Sequence, residues 1–377
     1  MFVELHILQS FAPSNLNRDD TGNPKDAEFG GVRRARISSQ CIKRAIRTHP
    51  IFEQTTQVEI ADRTRWITRL LVKPLVEAGK GEEEAWAVAE AFANSLKIGT
   101  EKDKQTGKPR STVLLYLSKA EVQAIAEKLL ESWDEILSTL EKGKSPALEA
   151  IQKEFVKTYK DRAGAPDIAM FGRMLAEKPD LNLDAACQVA HALSTHRVNM
   201  EMDFYTAVDD LSTDEETGAG MMGVIAFNSA CFYRYARIDW EQLVKNLGGN
   251  VPLARKTVEG FLRSATLATP SGKQNSFAAQ NPPDFILGVV RADGQSWSLV
   301  NAFEKPVRPD RNGGLMAPSI AALDAYWGRL GRVYGSQGAK PSALILADEA
   351  AAPNLQSAAA ANLQQWVESL LDALPKE

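Results

Sequence analysis

The chain opens on a strict alternation. In FVELHILQSF, Phe2, Glu4, His6 and Leu8 alternate with Val3, Leu5, Ile7 and Gln9, and a period of two predicts a strand. Residues 12–31, APSNLNRDDTGNPKDAEFGG, are turn-rich and polar. A loop of that length is uncommon unless it is functional or disordered. The next segment, QCIKRAIRTHP, has a period near 3.6: Gln40, Lys43, Arg44 and Arg47 share one face, and Ile42, Ala45, Ile46 and His49 share another. Ser38 or Ser39 is the natural N-cap and Pro50 marks the end.

Residues 51–178 carry several helical patterns, among them TRWITRLLVKPLVEAG and KAEVQAIAEKLLESWDEILSTL. Two interruptions stand out, a polar loop over 99–111 and a short apolar run over 111–118. The pattern over 182–198 predicts a helix from about Asp184, and the acidic, glycine-bearing residues that follow are weakly periodic. Strand alternation returns over 230–240, where Phe232, Arg234 and Ala236 oppose Tyr233, Tyr235 and Arg237. A helix is expected at VPLARKTVEGFLRSATLAT. DFILGVV and SWSLVNAFE, separated by an Asp-Gly turn, predict a hairpin. Helices are expected at SIAALDAYWGRLGRVYG and in the alanine-rich end of the chain. This order predicts an α+β sandwich with large insertions.

Length and composition narrow the class. The 377 residues, 44 % hydrophobic, suffice for one large core or a core with insertions. The formal net charge of -4 is not that of a simple basic nucleic-acid-binding domain, but a local stripe can be the footprint. Cys41, Cys187 and Cys231 are too scattered for a disulfide scaffold or a zinc cluster. With no leader-like N-terminus and no long apolar run, a cytoplasmic protein is expected.

Against that acidic background, Arg33, Arg34, Arg36, Lys43, Arg44 and Arg47 place six cations in fifteen residues with no acid among them. They begin beside Gly30-Gly31, where backbone can approach a ligand closely. Arginine forks bind two phosphate oxygens, and a row of cations suits a chain of phosphates better than one small anion. Neither GxGxxG nor a Walker A motif supports a mononucleotide site. Lesser candidates are Arg173 and Met174 in APDIAMFGRML, then Lys273, Gln274 and Asn275 in SGKQNSF, then Lys305 in EKPVRPDRNGG; each could equally be ordinary loop or helix surface. Asp19, Asp20, Asp26 and Glu28 could hold a divalent metal, a weak signal in a loop. His191 and His196 are five apart, not the four of a helix-borne zinc pair, and no catalytic set is evident.

SNLNRDDTGNPKDAEFGGVRRARISSQCIKRAIR, followed in order by MEMDFYTAVDDL, FNSACFYRYARI and NAFEKPV, resembles the repeated backbone subunit of the type I-E CRISPR surveillance complex Cascade, the CasC family. The resemblance spans most of the chain and is weakest over about 51–160. It implies a modified ferredoxin-like, RNA-recognition-like palm with an inserted, mostly helical finger domain and an extended thumb. The corresponding boundaries are palm 1–50, finger domain 51–178, palm 179–196, thumb 197–228 and palm 229–377. It further implies a scaffold that cuts nothing and needs no cofactor or metal. Copies would stack along CRISPR guide RNA, each thumb displacing a base at regular intervals and leaving short guide segments to pair with a target DNA strand. The implied partners are further copies, the large and small subunits, the guide 5′-end-capping subunit and the repeat endonuclease.

Carried over residue by residue, Lys43 and Arg47 become phosphate-facing, with Arg33, Arg34 and Arg44 suited to the same task. Arg18 matches the loop arginine, Ser39 and Gln40 the polar helix start, and Arg173 and Met174 a segment beside the kinked guide backbone. Met200, Met202 and Phe204 become base-wedge candidates, while Lys273, Gln274, Asn275 and Lys305 become further RNA or DNA contacts. The aromatic signature of ordinary RNA-recognition sheets is absent. Related type III backbone subunits cleave target RNA with a loop aspartate, so the loop acids keep a metal-dependent nuclease open as the alternative. An enzyme for a small polyanion fits the spread of cations least.

Overall fold

A computed structural model describes residues 1–140, 145–175, 177–207, 221–311, 313–336, 338–346 and 349–376. The chain forms two compact units: residues 1–52, 188–237 and 261–375 in the first, and 53–187, 238–260 and 376–377 in the second. Residues 238–260, grouped with 229–377 from sequence, cluster with the second unit. There the Asn246 amide donates to the carbonyls of Ala169 (2.9 Å) and Asp184 (2.8 Å).

The first unit is built on a nine-stranded sheet. Its strands are β1 (Phe2–Ser14), β2 (Asp26–Phe29), β3 (Val32–Ile37), β4 (Cys187–Val189), β5 (Ala192–Ser194), β6 (Glu201–Ala207), β7 (Met221–Asp239), β8 (Phe285–Arg291) and β9 (Ala339–Ile345). The order is β9-β8-β1-β7-β5-β3-β2, with β4 and β6 also paired to β7. Helix α1 (Ser39–Arg47) lies between β1 and β5 in the chain, and α2 (Val251–Leu267) between β7 and β8. The central order β8-β1-β7-β5, fourth-first-third-second, is that of a ferredoxin-like core.

Both faces of β1 are covered. Leu5 and Ile7 meet Ile42 and Ile46 of α1 and Phe261 and Ala265 of α2. On the other face, Leu8, Tyr233, Phe285 and Leu287 form a core with Ile320, Leu323 and Trp327 of α3 (Met316–Tyr334). Glu4 and His6 share that second face and are fully buried. Arg291 Nε donates to Glu4 Oε1 at 2.8 Å, and the Trp297 backbone N–H donates to the same oxygen at 3.2 Å. His6 Nε2 is 3.6 Å from Glu4 Oε2, too long for a hydrogen bond. Burial opposes ionisation of Glu4, but His6 and Arg291 outweigh it and hold the carboxyl below its ordinary range. His6 Nδ1 also meets the Tyr233 hydroxyl at 2.8 Å, and that hydroxyl accepts from the Leu299 backbone N–H at 2.8 Å. Burial drives the Tyr233 pKa well above normal, so the hydroxyl stays protonated and can donate to His6.

The second unit packs helices Ile67–Glu77, Glu82–Ser95, Lys119–Glu131, Trp133–Leu140 and Pro146–Tyr159 around Leu71, Phe92, Ile125, Leu129 and Ile151. Ser118 and Glu121 form a reciprocal capping box at the start of Lys119–Glu131.

Several sequence expectations are corrected. The helix expected from Asp184 is replaced by β4 and β5. Leu193 is registered against both Tyr233 and Arg36, so pairing on both sides overrides the helical preference of its alanines and leucines. DFILGVV does not form a hairpin with SWSLVNAFE, because β8 is flanked by β1 and β9 and has no edge left to offer. SWSLVNAFE instead contains a 3-10 turn, Val300–Phe303. The polar loop 99–111 is a short hairpin of Thr100–Lys102 with Pro109–Ser111, its turn braced by Asp103, which accepts from the N–H groups of Gln105 and Thr106. The alanine-rich end is α-helical only over Leu363–Asp372, with a single 3-10 turn at Gln356–Ala358 ahead of it. Between the two, Ala360 donates its N–H to the Ala343 carbonyl of β9.

Tyr233→Phe should lower the unfolding free energy by about 1–3 kcal/mol, because it leaves a buried Leu299 N–H and His6 Nδ1 without their shared partner. Denaturant unfolding checks this, and an unchanged midpoint would refute the network.

Candidate nucleic-acid interface

The basic stretch divides into an inner and an outer set. Turning the chain from β2 into β3 requires a two-residue loop, and Gly30 (φ 62) and Gly31 (φ 70) supply two successive left-handed residues. A Cβ at Gly30 would lie 1.8 Å from the Glu304 carbonyl oxygen. The close approach expected there is therefore to the protein's own backbone rather than to a ligand.

Arg34 follows, and it is buried. Its Nε donates to the Phe29 carbonyl (3.1 Å), Nη1 to Ser194 (3.0 Å), and Nη2 to Phe303 (2.7 Å) and Glu304 (3.2 Å). Burial pulls its pKa down from the ordinary arginine range. The expected phosphate ligand is thus an internal clamp whose donors are already engaged. By holding Phe303 and Glu304 against the β2–β3 turn, it fixes the exposed Lys305 in the same region.

Arg33, its neighbour, points outward and pairs with Asp26 across the hairpin. Arg36 Nε donates to the Asp26 carbonyl at 3.1 Å. Arg18 is exposed in the loop between β1 and β2. That loop is tied down by two asparagines. Asn17 Oδ1 accepts from the Ser38 N–H (2.8 Å), and Asn15 Nδ2 donates to the carbonyls of Gly22 (3.0 Å) and Ala226 (2.9 Å). Asp19 accepts from the Thr21 hydroxyl and N–H and the Asn23 N–H, and these bonds, Thr21 first, hold its pKa below normal. Asp19 and Asp26 are thereby engaged in loop turn and ion pair, and among the described residues no group of three or more His, Cys, Asp or Glu is arranged to hold a metal ion.

Helix α1 is capped by Ser38, whose Oγ accepts from the Cys41 N–H at 3.3 Å, and it ends at Thr48, whose hydroxyl donates to the Arg44 carbonyl at 2.8 Å. Ile42 and Ile46 are buried. The opposite side carries Gln40 and Arg44, both exposed, with Ser39, Lys43 and Arg47 half-buried. Arg44 and Arg47 lie in the last turn, where the helix dipole favours cations. Beside this face a cavity of about 530 Å³ is lined by Asn17, Arg18, Arg44, Thr48, His49 and Pro270–Gly272. A Cβ at Gly272 would fall 2.2 Å from the Leu16 carbonyl oxygen, so the segment leading into the short helix Gln274–Phe277 packs on the basic loop. Lys273 and Asn275 are exposed. Gln274 turns inward, its Nε2 donating to the Pro270 (2.9 Å) and Ala279 (3.3 Å) carbonyls, which leaves it closing its own loop.

Strands β6 and β7 form an antiparallel ribbon, and residues 208–220 of the expected thumb lie outside the described residues. Met202 (74 % exposed) and Phe204 (61 %) lie on one side of it, opposite Ala226 and Val224. Met200 is half-buried at the root, its sulfur 3.6 Å from Asn228 Nδ2. Tyr205 lies over Gly223, where a Cβ would sit 2.4 Å from the ring. The root is joined to the basic loop by the Asn15 bond to Ala226, and Phe227 meets Phe277 with centroids 5.8 Å apart.

Arg173 and Met174 belong to the second unit. Arg173 is buried, with Nη1 donating to Glu121 Oε1 (2.7 Å), Nε to the Leu181 carbonyl (2.8 Å) and Nη2 to the Tyr159 carbonyl (3.3 Å). It is a structural ion pair with no donor turned outward, a correction to its expected role. Met174 is 87 % exposed.

Sequence reading weighed His191 only against His196 as a zinc pair and missed its place at the start of α1. His191 Nδ1 accepts from the Ser39 N–H at 3.0 Å across 152 residues, and no local signal marks such a contact. The loop asparagines were legible only as turn formers.

The family model described as CT1975-like protein matches residues 3–369. A solved chain titled as part of a CRISPR RNA-guided surveillance complex, pre-nicking, is 33 % identical and superposes with a TM-score of 0.86, over 99 % of this chain and 100 % of its own. A second, from a CRISPR RNA-guided surveillance complex, is 28 % identical with a TM-score of 0.76 over the same shares. The search of curated proteins returned no match. With all but the first two and last eight residues inside the family model, the chain belongs to the CT1975-like family.

Proposed function

We propose that the chain is the repeated backbone subunit of a type I-E CRISPR surveillance complex, binding guide RNA along its phosphates without regard to sequence. The observation that carries this is the outward row Gln40, Lys43, Arg44 and Arg47 on α1, beside Arg18 and Arg33, in a chain one-third identical to a component of such a complex. Arginine and lysine in a row grip phosphate, while base edges remain for pairing. The covered sheet supports the same reading. Where an RNA-recognition sheet exposes aromatics for base stacking, this one buries Tyr233 under α3, so the grip moves to the helix and loops at the side.

On this reading Arg18, Arg33, Ser39, Gln40, Lys43, Arg44 and Arg47 contact the guide, and Arg34 and Arg173 support from within. Met202 and Phe204 are the wedge residues, with Met200 anchoring the ribbon root. Lys273, Asn275, Lys305 and Met174 offer secondary contacts. The partners are CRISPR guide RNA, further copies, the other Cascade subunits and the target DNA strand paired to the guide. The work is done in the cytoplasm, and the chain is a scaffold rather than a nuclease.

Lys43→Ala combined with Arg47→Ala should weaken binding equally for unrelated RNA sequences. Each phosphate contact to a single strand releases roughly 0.7 counterion, so two lost contacts should reduce the salt slope by about 1.4. Filter binding across a salt series measures it, and an unchanged slope in folded variant protein would remove the phosphate assignment.

Replacing Asp19, Asp20 and Asp26 together should change no cleavage of complementary RNA or DNA, because the guide-loaded assembly should cleave neither. Labelled target incubated with magnesium or manganese provides the assay. Regularly spaced cuts that vanish in Asp26→Ala protein would favour the nuclease alternative.

A further inference from the structure

His191 lies in the bend between β4 and β5, within the first unit. Its Nδ1 accepts the Ser39 backbone N–H at 3.0 Å, and Ser39 is the first residue of α1. A neutral imidazole with an accepting Nδ1 must carry its proton on Nε2. The ring is exposed, with Nδ1 turned to the Ser39 N–H. Burial, then the Arg36 and Lys25 cations, hold the histidine below its ordinary pKa, which keeps this tautomer at neutral pH. Helix α1 therefore begins beside one oriented N–H donor next to two cations, on the element whose outer face carries Lys43, Arg44 and Arg47.

We infer that His191 is a further guide-contact residue whose Nε2–H donates to a phosphate oxygen, while its Nδ1 docks the ring on the start of α1. This rests on the phosphate-binding reading above. A competing role is purely structural, with His191 serving only to satisfy the Ser39 N–H.

The two ring nitrogens can be mimicked separately. In His191→Asn the amide oxygen falls near Nδ1 and can still accept from Ser39, but no donor reaches the position of Nε2. In His191→Gln the amide nitrogen falls near Nε2, and the acceptor for Ser39 is lost. Full-length wild-type, Asn and Gln proteins are compared for affinity to a single-stranded RNA of mixed sequence, with thermal melts run alongside. The expected result is Gln within about twofold of wild type and Asn weaker by about tenfold, the scale of one hydrogen bond to a charged group, with melts unchanged. Asn retaining affinity while Gln loses it would assign the histidine to helix capping alone. Equal affinity in all three, or equal loss in both variants, would likewise overturn the Nε2 donor. A wild-type protein that fails to bind RNA in the same series would bring down the guide-binding reading itself, and this inference with it.

Discussion

The arrangement of the basic stretch depends on a buried guanidinium. Arg34 is fully enclosed, and its charge is met by the carbonyls of Phe29, Ser194, Phe303 and Glu304 and by the Phe29 ring 5.6 Å away. Removing a charge from water is costly unless its donors are satisfied, and these carbonyls satisfy them. In exchange, one side chain joins the β2–β3 turn, strand β5 and the segment leading to Lys305. The polypeptide then runs from β3 directly into α1, so the clamp adjoins the helix that carries the outer cations.

Around that clamp the charges are sorted by direction. Arg34 faces in, Arg33 faces out, and Ser38, held by Asn17, starts a helix whose apolar side is sealed by Ile42 and Ile46. The opposite side is left with Gln40, Lys43, Arg44 and Arg47. Because β1 at the centre of the sheet is covered on both faces, the outward charges and donors of this region lie on the helix and loops. Those groups suit phosphate and sugar, the parts of a nucleic acid that do not vary with sequence. The modest net charge of -4 is compatible with this, since repeated copies of a strongly cationic chain would repel one another.

Much of this was legible in the sequence, and the failures have physical causes. The alternation over residues 2–11 and the 3.6-residue period after Ser38 identified β1 and α1 correctly, because local pattern and tertiary environment agree there. Alternation does not say how many faces are buried, so Glu4 and His6 read as ordinary strand residues rather than as a buried network. Residues 187–194 look helical by composition and become strands because two neighbouring strands supply partners. The arginines show the sharpest limit. Arg33 and Arg34 are adjacent and chemically identical, and strand alternation sends them to opposite sides; only the pairing partners decide which side is solvent. Arg173 was misread for the same reason, since its partner Glu121 lies 52 residues away. His191 was weighed only as a zinc partner of His196, because its contact with Ser39 is equally remote.

The most direct measurement of the central claim is the affinity of the wild-type subunit for two single-stranded RNAs of equal length and unrelated sequence, followed across a salt series. A grip on phosphates predicts matching affinities at every salt concentration and a steep, parallel fall as salt rises. A large preference for one sequence, or binding that ignores salt, would contradict it.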